Sequence, residues 1–144
     1  MTRSFITNIG ETSMDGLEVE GIWMPTSALT LRAALGTLDA SCDSYDYAGR
    51  DIANVAQLLY APELTWSVGA EHISQMLGGE LILTANYSFQ DEVFTQTLWA
   101  IYDPATFPKI NIDDWASLDI SATYLRDTEN GTFKVILYGT DVLE

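Results

Sequence analysis

Two stretches in the C-terminal half alternate apolar and polar residues with a period of two. Only a β-strand turns that pattern into one buried face. In the first, Leu81, Leu83, Ala85, Tyr87 and Phe89 alternate with Glu80, Ile82, Thr84, Asn86 and Ser88. In the second, Leu118, Ile120, Ala122 and Tyr124 alternate with Asp119, Ser121 and Thr123. The turn Asp127-Thr128-Glu129-Asn130-Gly131 follows and ends in a dipeptide that favours positive φ. Phe133, Val135 and Leu137 then return as a partner strand. Gln90-Asp91 predicts a tight hairpin from the first stretch into a strand over Val93 to Tyr102. Four antiparallel strands in two hairpins form the expected frame.

The remainder predicts a mixture. Leu17 to Trp23 alternates and reads as a strand that Pro25 ends, and Leu64 to Val68 reads as another. Ser4 to Ile9 is a further candidate strand, and Gly10 to Gly16 is polar and acidic. Ser27 to Leu38 is ambiguous: Leu31, Ala34, Leu35 and Leu38 fit a helix face, whereas Thr30 and Gly36 oppose it. Asp39 to Gly49 reads as an acidic loop. Asp51 is placed to cap a short helix whose inner stripe is Ile52, Ala53, Val55, Ala56 and Leu59, stopped by Pro62. Ala70 to Leu77 predicts a second short helix, with Ile73, Met76 and Leu77 inward and Gly78-Gly79 as its stop. The expected fold class is α+β: mainly antiparallel β, sandwich-like or barrel-like, with two or three short helices. One domain is expected over residues 1–144, with an irregular acidic part over 1–50 and helices plus hairpins over 51–144.

Charge restricts the partners. The chain carries 21 acidic and 6 basic residues, a formal net charge of -15, against an ordinary 47% hydrophobic content. A core is possible, and the surface must hold the excess carboxylates. The basic residues Arg3, Arg32, Arg50, Lys109, Arg126 and Lys134 are scattered, so no patch follows a phosphate backbone. Tight nucleic-acid binding and binding to anionic membranes are both disfavoured. The acidity admits solubility, salt adaptation, repulsion of a polyanion along a passage, or mimicry of DNA toward a basic partner. The N-terminus lacks the apolar stretch of a signal peptide, and no run of about 18 apolar residues spans a membrane. A cytoplasmic setting is expected.

Catalytic constellations are absent from the motifs. His72 is the single histidine and Cys42 the single cysteine, so no internal disulfide exists and no local nucleophile–base pair is visible. Asp39, Asp43, Asp46 and Asp51 suggest a hard-cation loop at first sight, but their spacing departs from the EF-hand pattern. Asp113-Asp114 reads as a turn or cap. No enzyme, cofactor or metal is expected.

Over Glu92 to Tyr102, Val93, Trp99 and Ile101 fall on one face, with Phe94, Leu98, Ala100 and Tyr102 on the other. Ile136 and Tyr138 likewise add apolar groups opposite Phe133, Val135 and Leu137. A strand apolar on both faces needs a second cover, from the N-terminal half of the same chain or from a neighbouring subunit. For the second case Trp99, Ile101, Ile136 and Tyr138 are the candidate assembly interface. In element order, residues 60–144 resemble bacteriophage tail-tube proteins: the strand Leu64 to Val68, the helix Ala70 to Leu77, the strand pair Glu80 to Tyr102 and the closing hairpin Leu118 to Tyr138. The resemblance implies a β-sandwich or barrel-like subunit in a homo-oligomeric ring or tube, with carboxylates that repel the phosphates of passing DNA. It implies other virion proteins as partners and a virion assembled in the host cytoplasm. The alternatives are an acidic inhibitor, immunity or DNA-mimic protein for a basic partner, and a small cone-shaped α+β lyase or isomerase.

Overall fold

In a computed structural model, residues 10–47, 49–54, 56, 58–95 and 111–143 are described. Nine strands occur in them: β1 (Gly10–Thr26), β2 (Leu29–Tyr47), β3 (Arg50–Asp51), β4 (Leu64–Met76), β5 (Gly79–Gln90), β6 (Val93–Phe94), β7 (Asn111–Ile112), β8 (Trp115–Thr128) and β9 (Gly131–Gly139). The main sheet has the order β1-β2-β4-β5-β8-β9, with β3 paired to the end of β2. No helix exists among the described residues, so the fold is all-β and the expectation of two or three short helices is corrected.

The chain divides into two compact units that interleave in sequence. The first unit is Met1–Leu17, Thr37–Glu63 and Glu92–Asp113. Its described part includes the β2–β3 pairing, with Asp46 opposite Asp51, and the two-stranded β6–β7 pairing, with Val93 opposite Ile112. Val93, at 4% exposure, is the one buried apolar residue among the described residues.

The second unit is Glu18–Gly36, Leu64–Asp91 and Asp114–Glu144. It is an antiparallel meander. Trp66 lies opposite Phe89 across β4 and β5, Leu83 opposite Ala122 across β5 and β8, and Ala122 opposite Leu137 across β8 and β9. The first part of β2 joins β4: the Ile73 amide donates to the Ala28 carbonyl at 2.8 Å, and Gly36 lies against Thr65. One index rises by eight as the other falls by eight, which is an antiparallel register.

The predicted helix over Ala70 to Leu77 is strand β4, extending to Met76. Gly78-Gly79 closes a hairpin instead of stopping a helix. Leu77 and Gly78 both take positive φ, 50° and 74°, the signature of a two-residue turn matched to strand twist. Ser27 to Leu38 and the acidic loops Gly10 to Gly16 and Asp39 to Gly49 also lie largely in strands, β1 and β2. The expected hairpin from β5 into Val93 to Tyr102 does not form, because β5 is already paired on both edges, by β4 and by β8. Val93 and Phe94 pair with β7 instead, and residues 96–110 lie outside the described ones. The closing hairpin forms as expected, with Glu129-Asn130 as its two-residue loop.

Two turn positions yield opposite expectations. Leu77 is 75% exposed and sits in a left-handed conformation that costs a branched residue about 1 kcal/mol. Leu77→Asn should raise stability by about that much. A Cβ on Gly79 would collide with the Leu125 carbonyl oxygen and meet the Tyr124 ring at 2.8 Å. Gly79→Val should cost about 2 kcal/mol. Urea unfolding followed by circular dichroism checks both.

Candidate functional site

The register of the second unit sorts its side chains into two unlike faces. One face carries Trp66, Val68, Ala70 and His72 from β4, with Leu81, Leu83, Ala85, Tyr87 and Phe89 from β5. β8 adds Leu118, Ile120, Ala122, Tyr124 and Arg126, and β9 adds Phe133, Val135 and Leu137. Across β4, β5, β8 and β9, no aspartate or glutamate falls on this face. The four carboxylates of those strands, Glu71, Glu80, Asp119 and Asp127, all lie on the other face.

The apolar face is organised but open. The Trp66 ring lies 5.2 Å from the Tyr87 ring and stacks on the Phe89 ring at 5.8 Å. Such aromatic pairs contribute about 0.5–1.5 kcal/mol beyond their area. The Tyr124 ring lies over Gly79, and its hydroxyl donates to the Leu77 carbonyl at 3.2 Å. Yet Val68, Leu83 and Ile120, in the middle of the face, remain 48%, 43% and 45% exposed. A depression lined by Leu83, Ile120, Ala122 and Leu137, and also by Thr84, Ser121 and Tyr138 of the other face, spans β5, β8 and β9.

The opposite face is polar and internally bonded. Thr84 and Ser121 share a hydroxyl–hydroxyl bond of 2.7 Å. The Asp119 carboxylate accepts from the Ser117 hydroxyl at 3.4 Å and the Asp141 amide at 3.1 Å. Arg32 reaches Glu71 at 3.9 Å, the single ion pair among the described residues. Both groups keep solvent, so the pair adds at most about 1 kcal/mol.

No family model, curated protein or solved structure matches this chain. The surface must therefore be interpreted from its own chemistry. His72 sits on the apolar face opposite Leu83, without a hydrogen-bond partner among the described residues. Cys42 lies on the part of β2 that belongs to the first unit. No group of three or more His, Cys, Asp or Glu is arranged to hold a metal among the described residues. Asp43 accepts from Ser13, Asp46 from the Gly49 amide at 2.9 Å, and Asp51 from two amides, so these carboxylates are engaged singly.

Of the candidate interface residues, Ile136 and Tyr138 lie on β9, opposite Thr123 and Ser121. Their side chains therefore share the polar face, where Tyr138 is 79% exposed. Trp99 and Ile101 lie outside the described residues. Val68, Leu83, Ile120 and Leu137, which sequence reasoning assigned to strands without placing them at an interface, form the open centre of the apolar face. A count of carboxylates by strand parity would have found them.

Asp51 shows how a helix signal can be spent locally. Its Oδ1 accepts the Ala53 amide at 3.0 Å and the Tyr45 amide at 3.1 Å. The Ala56 amide donates to the Ile52 carbonyl at 3.0 Å, and no helix follows among the described residues. The Ala53 amide, and then the Tyr45 amide, hold the Asp51 carboxyl below the ordinary aspartate range. A depressed native value stabilises the loop above the ordinary value, and this is lost as pH falls through the depressed one. The Asp51 carboxyl should thus titrate by NMR below the ordinary aspartate range. Asp51→Asn should keep the loop and remove its acid dependence.

Proposed function

We propose that this chain is a non-enzymatic structural subunit that self-assembles through its sheet, in an assembly of the phage tail-tube kind. One observation carries the reading: a face on which β4, β5, β8 and β9 place no carboxylate, with open aliphatic residues at its centre, on a chain of net charge -15. Contiguous exposed apolar surface on a soluble protein marks an interaction site. Fully burying a Val, Leu, Ile or Phe side chain is favourable by about 1.5–3 kcal/mol. Val68, Leu83, Ile120, Phe133, Val135 and Leu137, each 39–69% exposed, therefore hold several kcal/mol of unrealised burial between them. The polar face complements this role. Glu71, Glu80, Asp119 and Asp127 give it a negative field that keeps a polyanion from adhering along a passage.

The acidity makes the reading testable through salt. Repulsion between subunits is screened over about 10 Å at 0.1 M ionic strength, whereas apolar contact persists. Self-association measured by light scattering should strengthen as salt rises, and negative-stain images should show rings or tubes. Ile120→Glu, at an exposed position, should leave the chain folded and abolish the particles. A chain that stays monomeric at every salt concentration, and captures a basic protein in a salt-sensitive manner, would instead be an inhibitor or DNA mimic.

A further inference from the structure

The two edges of the sheet differ in charge, and the difference points to how copies join. β1 and β9 are the terminal strands of the sheet order, so each has one edge unpaired among the described residues. Unpaired edges are templates for another strand unless charge, proline or a bulge blunts them. β9 has little of that protection. Its sequence, Gly-Thr-Phe-Lys-Val-Ile-Leu-Tyr-Gly, is apolar and β-branched with one charge, Lys134. All of its residues but Gly139 are exposed. β1 is exposed along its whole length. It carries Glu11, Asp15, Glu18 and Glu20 without a single cation, and its proline, Pro25, sits at the hairpin end. Glu18 to Met24 is left free of proline, and Ile22, Trp23 and Met24 there are 66–69% exposed.

We infer that β9 of one copy pairs with β1 of the next, so that the sheet continues head to tail from subunit to subunit. The inference rests on the self-assembly reading and names its joint. Strand direction permits it. Six strands alternate from β1 to β9, so the two edges run in opposite senses. A second copy shifted along the sheet without inversion offers β1 antiparallel to β9. Charge favours it over the two-fold alternatives. A β1–β1 joint sets Glu18 and Glu20 against their own copies, and like charges facing across strands are destabilising. A β9–β9 joint leaves the acidic edge exposed. The head-to-tail joint brings Lys134, on the β9 edge itself, to the acidic edge. Lys134 has no carboxylate within ion-pair distance among the described residues. Such a contact is heterologous: it closes into a ring or extends as a filament and does not stop at two copies.

Charge reversal tests the joint. Lys134→Glu should raise the concentration needed for assembly about tenfold at low salt. Adding Glu18→Lys and Glu20→Lys to that same chain should restore assembly. Arg50→Glu makes the same change in net charge and should leave assembly at the level of the native chain. Sedimentation velocity on native and variant chains, with circular dichroism to confirm strand content, gives the readout. A native particle that stops at the dimer overturns the joint, as does assembly indifferent to Lys134→Glu or unrestored by the compensating pair. If Ile120→Glu abolishes assembly while Lys134→Glu does not, copies join through the apolar face alone. If the native chain never assembles, the self-assembly reading falls and the joint with it.

Discussion

Everything in the second unit depends on keeping carboxylates off one side of a sheet. A strand places successive side chains on opposite faces, so a single-residue slip in register exchanges the faces completely. Here a slip would carry Glu71, Glu80, Asp119 and Asp127 into the midst of Trp66, Leu83 and Ile120. Two short turns prevent it. Leu77-Gly78 sets the β4–β5 register, and Glu129-Asn130 sets that of β8 and β9. Leu77 adopts an unfavourable conformation in doing so, and the alternation on either side outweighs that local strain. The same segregation lets a highly acidic chain present an apolar surface. The charge is displaced to the reverse of the sheet and to the loops without being neutralised.

The strands of the closing hairpin and β5 were legible because their alternation is unbroken over several residues and their turn chemistry agrees with it. Levels of description that agree are what make a sequence readable. The open face was half legible. Leu81, Leu83 and Ile120 stood out as the inner positions of strands, where the expectation was a cover from within the chain. Their exposure could not be seen until neighbouring strands were placed. The interface expected at Ile136 and Tyr138 came from apolarity on both sides of one strand. That pattern says a strand has two contacts to make, without saying which side lacks one.

The helices failed for a physical reason that recurs along the chain. Ala70-Glu71-His72-Ile73-Ser74-Gln75-Met76 has apolar residues at positions compatible with either period, and its local propensity favours a helix. Pairing with β5 along its whole length outweighs that preference, as tertiary context commonly outweighs propensity. Asp51 delivers the amide-capping geometry that a helix start requires, yet no helix follows among the described residues, and Leu59 bridges Phe94. The misassigned partner of β5 has a topological cause. A short polar link, Gln90-Asp91, looks like a hairpin, but both edges of β5 are already occupied.

The order in which the sheet is assembled in sequence has a kinetic side. β4 with β5, and β8 with β9, are local hairpins closed by two residues each, and hairpins of that kind form in microseconds. The β5–β8 ladder at the centre joins them only after the chain between Gln90 and Trp115 has been brought round to close a loop. Its entropy must be spent before that ladder returns anything. Until then the two hairpins expose four edges between them, where the four-stranded sheet they join into exposes two. A newly made chain therefore passes through a stage with more free strand edges than the finished subunit has. The long excursion between β5 and β8 thus sets how long the chain is exposed to pairing out of place.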